Sequence, residues 1–247
     1  MKSRRGESDA AEIISSSPYL SYIYRQVYLD MFLATKIDPS AIGLELGAGN
    51  VSYAAEFFPN LVLSQGHGEE GVNLEIIEAE SIPYENSKFD YVIAKDALHH
   101  FKDPGQALSE IYRVLKPGGV FIVAEPYWSL LGRFIFRFIH PEDWNPRSSS
   151  LTLKSRDPWE SNQALLLILV RRFSTNSVLG SGLMLKTGQI SYGVSYALSG
   201  GVFSKNRIPD NFLIVLNRIE RRLKRLNLIL TGLNIIAVFN KSGVSNS

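Results

Sequence analysis

Two adjacent imidazoles, His99 and His100, follow an apolar run at residues 89–94, with the carboxylate of Asp96 between run and pair. A side chain that titrates near neutral pH, set just past a buried strand, is suited to take a proton from a bound substrate. The competing reading is that one histidine packs beneath a ligand and the other caps the loop. Upstream, Glu45-Leu46-Gly47-Ala48-Gly49-Asn50 closes a second apolar run, residues 42–46. Glycines there let the backbone turn tightly and come within contact distance of a ligand. In open parallel sheets such ligands sit beyond the carboxyl ends of the strands, where the strand order reverses. A tight turn with no ligand is the plainer account of this motif.

A dinucleotide site can be tested against the same stretch. Counting from Gly47, the G-x-G-x-x-G pattern needs glycine at 52, where Ser52 stands. The acid that would meet the nicotinamide cofactor's ribose, expected at the end of the second strand, is also missing: that end reads Ser64-Gln65-Gly66. A nicotinamide-dependent oxidoreductase is therefore disfavoured twice.

Three motifs in order, LELGAG (44–49), EAESIPYENSKFDYVIAKDALHHF (78–101) and EIYRVLKPGGVFIVAEP (110–126), resemble the class I small-molecule methyltransferases that use S-adenosylmethionine, of the type 11 kind. The resemblance implies an α/β fold: a Rossmann-like, mostly parallel seven-stranded sheet with helices on both faces, extended by an irregular helical C-terminal insertion. It implies S-adenosylmethionine as cofactor and methyl transfer to a small-molecule or carrier-linked acceptor. Carried onto this chain, Glu45, Gly47, Ala48 and Gly49 fall in the loop under the cofactor's methionine part. Gln65 falls at the ribose position, and Glu78 with Ala79 at the adenine. His99 and His100 are the candidate catalytic residues, with Asp96 behind them, and no metal site is expected.

Two residues depart from the family pattern. Val51 stands where glycine is usual, and Gln65 stands where an acid is usual, with Glu69 and Glu70 nearby as substitutes. A neutral amide forfeits the charge-assisted bond to a ribose hydroxyl, a loss of about 1–2 kcal/mol. These departures keep open a second reading, a catalytically degenerate methyltransferase-like binding protein.

The elements that must hold these residues are legible from periodicity. Residues 18–34 carry Leu20, Ile23, Tyr24, Val27, Tyr28, Met31 and Phe32 at helical spacing. Strands are expected at 42–46, 61–64, 74–77, 89–94 and 120–124, a short helix at 53–58, and loop at 65–73. Asp103-Pro104 opens a helix whose buried stripe is Ala107, Leu108, Ile111, Val114 and Leu115, and Lys116-Pro117-Gly118-Gly119 stops it. This alternation over residues 40–126 predicts a parallel sheet covered on both faces. Residues 1–17 read as an N-terminal tail, and 18–247 as a single domain. Residues 128–139 and 161–173 read as helices, 140–160 as loop, and 234–240 as a closing strand. Trp128, Trp144 and Trp159 lie in the variable region 127–233, where they line either an acceptor pocket or a small core of their own.

Composition narrows the classes further. The chain has 247 residues, 45% of them hydrophobic and 20% charged, which suits a folded domain. It has no cysteine, which excludes disulfides, thiolate metal sites and cysteine nucleophiles. Its four histidines show no helical metal-ligand spacing. Residues 1–11 are polar, unlike a signal peptide, and no apolar run reaches the roughly 18–20 residues that cross a bilayer, so a cytoplasmic location is the expectation. Net charge is +2, but residues 205–227 hold seven Lys/Arg against Asp210 and Glu220. There, Phe212, Leu216, Ile219, Leu223, Leu226 and Leu230 form an apolar stripe opposed by Arg218, Arg221, Arg222 and Arg225. Such a helix either buries its stripe and solvates its arginines or lies against an anionic membrane or carrier-linked substrate. Nucleic acid is not expected as a partner, because the chain is nearly neutral and carries no RNA-binding motif.

Overall fold

The structure is a computed structural model, and it describes residues 7–49, 51–65, 75–127, 129–138, 181–191, 193–202, 208–223 and 230–242. Seven strands form one sheet in the order β3-β2-β1-β4-β5-β7-β6. They are β1 (Gly43–Glu45), β2 (Leu61–Gln65), β3 (Glu75–Ile76), β4 (Phe89–Lys95), β5 (Leu115–Pro126), β6 (Leu183–Ser191) and β7 (Asn234–Lys241). The first five pair in parallel, and β7 runs antiparallel to both β5 and β6. The strand order reverses between β1 and β4, so the crevice for a ligand opens at the carboxyl ends of those two strands. The expected Rossmann-like, mostly parallel seven-stranded sheet is what the chain forms.

Alternation along the strands sorts the core into two layers. Leu44, Val92, Ala94, Phe121 and Val123 face one way and pack with Ala107, Leu108 and Ile111 of α3 (Pro104–Val114). Tyr91, Ile93, Ile122 and Ala124 face the other way and pack with Tyr19, Ile23, Val27 and Met31 of α2 (Pro18–Leu33). Both helices start where the sequence says they should. Ser17 accepts the Leu20 N–H and Asp103 accepts those of Gly105 and Gln106, each followed by proline in the first turn.

Several expectations are corrected. Residues 1–17 are not all tail: Glu7–Ser16 is a helix, α1, packed beside α2. Its Ile14 is 5% exposed, and burial of that side of the helix outweighs the polar composition of the segment. The helix stops at Val114, before Lys116-Pro117-Gly118-Gly119, but the strand expected at 120–124 is longer. Strand β5 begins at Leu115, and the turn residues form a bulge between the Phe89–Leu115 and Tyr91–Val120 pairs, with Gly118 at φ +80. The region 127–233 is not purely helical either. After α4 (Leu130–Phe138) it supplies β6, then α5 (Val194–Ser199) and α6 (Asp210–Arg222). The closing strand expected at 234–240 is present as β7, and it lies between β5 and β6.

Helix α6 decides between the two readings of its apolar stripe. Phe212, Ile219 and Leu223 of the stripe, with Val215 beside them, are about half exposed or more, and Leu216 is half-buried. The helix packs instead through Leu213 and Asn217, both fully buried, and through Arg221, which grips Asp30 of α2 with two bonds of 2.6 and 2.7 Å. With Arg221 bound to the buried Asp30 carboxylate, that side of the helix stays turned to α2, and removing either partner would leave a buried charge unpaired. Of the loop expected at 65–73, Gln65 belongs to β2. The rest of it with Glu69 and Glu70, the loop at 140–160, the helix at 161–173, the three tryptophans, and Arg225 and Leu226 lie outside the described residues.

Candidate functional site

The turn after β1 is built on backbone conformations that a side chain would resist. Gly47 has φ +73 and Gly49 φ +58. A Cβ on Gly47 would lie 2.6 Å from the Cβ of Ala97 in the turn after β4, so the two strand ends touch here. A Cβ on Gly49 would meet nothing within 4 Å: the turn's outer corner faces open space. Between them Ala48 donates its N–H to Ser64 O at 2.7 Å, tying the turn to β2.

Glu45 lies beneath this turn and is fully buried. Tyr28 Oη donates to its Oε1 at 2.7 Å and Ser52 Oγ to its Oε2 at 2.7 Å. Burial pushes the Glu45 carboxyl above its ordinary value, opposed by these two hydroxyls and by the charge of Lys95. The clamp fastens the turn to α2 on one side and to the segment after it on the other. Gln65 ends β2, nearly buried, its carbonyl taking the Ile77 N–H at 2.9 Å. Glu78 is exposed just past β3, and Ala79 is buried beside it.

Past β4, Asp96 takes a left-handed conformation, φ +50, that aspartate tolerates better than most residues. The chain turns into a single 3-10 turn, Leu98–His100. Glu125 of β5 organises this turn. It accepts the Ala97 N–H at 3.1 Å and the Leu98 N–H at 2.8 Å through Oε1, and meets His99 Nδ1 at 2.5 Å through Oε2. His99 is buried and His100 exposed, their rings 4.0 Å apart. On the α2 side Lys95 is buried with its ammonium 3.8 Å above the Tyr24 ring and 2.5 Å from Asp96 Oδ2. Tyr24 and Tyr196 of α5 hydrogen-bond to each other, and burial drives both phenols far above their ordinary value.

The carboxyl edge of the parallel strands thus brings together every residue expected there from sequence: Glu45, Gly47, Ala48 and Gly49 after β1, Gln65 at β2, Glu78 and Ala79 after β3, and His99 and His100 after β4. Tyr24, Tyr28, Ser52, Lys95 and Tyr196 join them without having been singled out for the site, and Glu125, whose place after the fifth strand is legible in the sequence, acquires its role here. The signal for the two α2 tyrosines was available, since a hydroxyl on each at i, i+4 of a buried stripe needs a polar partner. Among the described residues, no group of three His, Asp or Glu could hold a metal ion.

A glycine turn at the switch point of this strand order, with one antiparallel strand near the far edge, defines a methyltransferase-type α/β fold. Residues 32–123 match the family model of the methyltransferase domain. The uncharacterized methyltransferase YcgJ of Bacillus subtilis is 34% identical over 86 residues, 35% of this chain and 32% of that one. A demethylmenaquinone methyltransferase of Oceanobacillus iheyensis is 34% identical over 108 residues, 40% of this chain and 42% of that one. The chain therefore spans less than half the length of these curated relatives. The solved structure of YcgJ superposes with a TM-score of 0.51 at 18% identity, over 89% of this chain and 99% of that one. The cyclase SpnF superposes equally well, with a TM-score of 0.53 at 17% identity over 88% of this chain and 81% of that one. The family match thus runs from the end of α2 into β5, residues 32–123, and the likeness of fold extends over most of the chain. The likeness to a cyclase shows that the fold alone does not set the reaction, which must be argued from the site.

Proposed function

We propose that the chain transfers a methyl group from S-adenosylmethionine to a small-molecule acceptor. The observation that carries this reading is the turn after β1: two glycines at positive φ, one in contact with the β4 turn and one facing open space, at the point where the strand order reverses. Such a corner admits a ligand against bare backbone. The residues along the same edge fit the cofactor in order. Gln65 offers an amide to the ribose hydroxyls, Glu78 a carboxylate to the adenine amino group, and the Ala79 N–H a donor to a ring nitrogen.

When bound, S-adenosylmethionine supplies an activated methyl on a sulfonium. The chain's own contribution is alignment and the handling of the acceptor's proton. Glu45 is a positioning residue, since both its oxygens are engaged by Tyr28 and Ser52 and none of it reaches solvent. Glu125 fixes the His99 ring and the backbone of Ala97 and Leu98 together, as a carboxylate orients an imidazole base. His99 is the oriented base of this reading, and His100 contacts the acceptor from the exposed rim.

A second reading is favoured by Gln65 and Val51, the departures from the family pattern: a protein that holds the cofactor weakly and transfers nothing. Calorimetric titration with S-adenosylmethionine and S-adenosylhomocysteine separates the two. Saturable binding of both supports the methyltransferase, and no heat with either removes it.

A further inference from the structure

The apolar stripe of α6 points away from the protein, and the charges around it are sorted. Phe212, Val215, Ile219 and Leu223 recur at helical spacing and are 57, 52, 47 and 51% exposed. Both acids of this helix are turned into the fold. Asp210 accepts from Ser17 Oγ and the Tyr19 N–H, and Glu220 from the N–H groups of Val194 and Ser195 and from Ser195 Oγ. Arg221 is consumed by Asp30. Arg218 and Arg222 stay exposed beside the stripe.

Helix α4 repeats the pattern. It packs through Leu131 and Ile135 onto the same core layer that receives Leu213 and Ile214 of α6. Its outer face carries Leu130, Phe134 and Phe138, 63, 55 and 61% exposed, with Arg133 and Arg137 exposed among them and no acid in the helix. Monomeric proteins rarely leave apolar faces of this kind bare unless something covers them.

We propose that α4 and α6 form a docking surface for an anionic lipid bilayer. Apolar side chains enter the interface while arginines beside them meet lipid phosphates, the pattern of helices that lie in the plane of a membrane. The absence of any outward acid on either helix is what selects an anionic surface over a protein of mixed charge. No helix among the described residues is long and apolar enough to cross a membrane. The proposal does not depend on methyl transfer.

The test is cosedimentation of the full chain with vesicles of phosphatidylcholine alone and of equal parts phosphatidylcholine and phosphatidylglycerol, at low and high salt. Retention is expected on the mixed vesicles at low salt only. The pair Arg218→Glu with Arg222→Glu should weaken it by roughly tenfold or more, since each basic residue near an anionic surface adds about fivefold to binding. Phe212→Ser with Ile219→Ser should weaken it comparably, and because all four side chains face solvent, circular dichroism should match the parent. Three results overturn the proposal: no retention on mixed vesicles, equal retention of the serine variant, or a self-associating parent that the serine variant makes monomeric without any vesicle binding. The last would mean that a second copy covers the face. Cofactor titration of the same variants keeps the two readings apart, because loss of vesicle binding with unchanged cofactor heat touches only the docking surface.

Discussion

The two glycines of the first turn answer different questions. At Gly47 an added methyl collides with Ala97, so a substitution there disturbs the junction of β1 and β4 whether or not a ligand binds. Gly49 is the cleaner probe. A Gly49→Ala change costs about 1–2 kcal/mol for the left-handed conformation, with no clash, and sets a methyl where the backbone faces open space. We expect the protein to stay folded and its affinity for S-adenosylmethionine to fall by at least tenfold in calorimetry; unchanged affinity would take this turn out of the site. Gln65 tests the opposite end of the cofactor. If its amide holds the ribose, Gln65→Glu should tighten binding by about 1–2 kcal/mol through a charge-assisted bond. Equal or weaker binding would assign the ribose to another residue.

At the scale of elements, two ion pairs fix helices and strands. Asp30 is 4% exposed and depends on Arg221, and the bidentate bond in turn holds the guanidinium above its ordinary value. Arg221→Ala should cost about 3–5 kcal/mol in urea unfolding, because the carboxylate stays buried without its cation. Arg222→Ala, one residue away and exposed, should stay within about 0.5 kcal/mol. The second pair joins β4 to the bulge of β5. Against the upward push of burial, the Ile42 N–H and the Lys116 ammonium, 2.8 Å away, hold the Asp90 carboxyl below its ordinary 3.8. A depressed folded value means that the stabilisation is present above pH 3.8 and drains away as pH falls through the lower folded value. Asp90→Asn should therefore be less stable than the parent at neutral pH and converge with it in acid. A constant difference down to that range would show that Asp90 acts by shape rather than charge.

For the molecule as a whole, a cofactor that binds only the folded chain raises its apparent stability by mass action. At a hundredfold excess over the dissociation constant the gain is about 2.7 kcal/mol. For a chain of this size that corresponds to a rise of roughly 5–10 °C in the thermal midpoint. S-adenosylhomocysteine should produce such a shift and a nicotinamide dinucleotide none; the reverse pattern would reinstate the oxidoreductase disfavoured at Ser52. The same scale frames the proposed docking surface, because α4 and α6 stand on one layer of the core and each leaves apolar side chains exposed.

The sequence by itself determined the parallel half of the sheet, because β1 through β5 and α2 and α3 carry strong periodicity, caps and stops, all local signals. It determined the order of the site residues as well, since parallel strands bring their carboxyl ends to one edge whatever the details. Tertiary structure decided what depends on partners distant in the chain. Glu45 became a buried clamp because Tyr28 and Ser52 arrive from both sides, and His99 met a carboxylate from β5, 26 residues on. Strand β7 was placed between β5 and β6 by pairings that no local pattern encodes. The face of α6 is likewise a tertiary matter: its periodicity marks an apolar stripe, but the side that packs inward bonds Asp30 on α2, 191 residues before Arg221. Amphipathicity fixes which residues share a face, and only the contacts made by Leu213, Asn217 and Arg221 with the rest of the fold show which face turns inward.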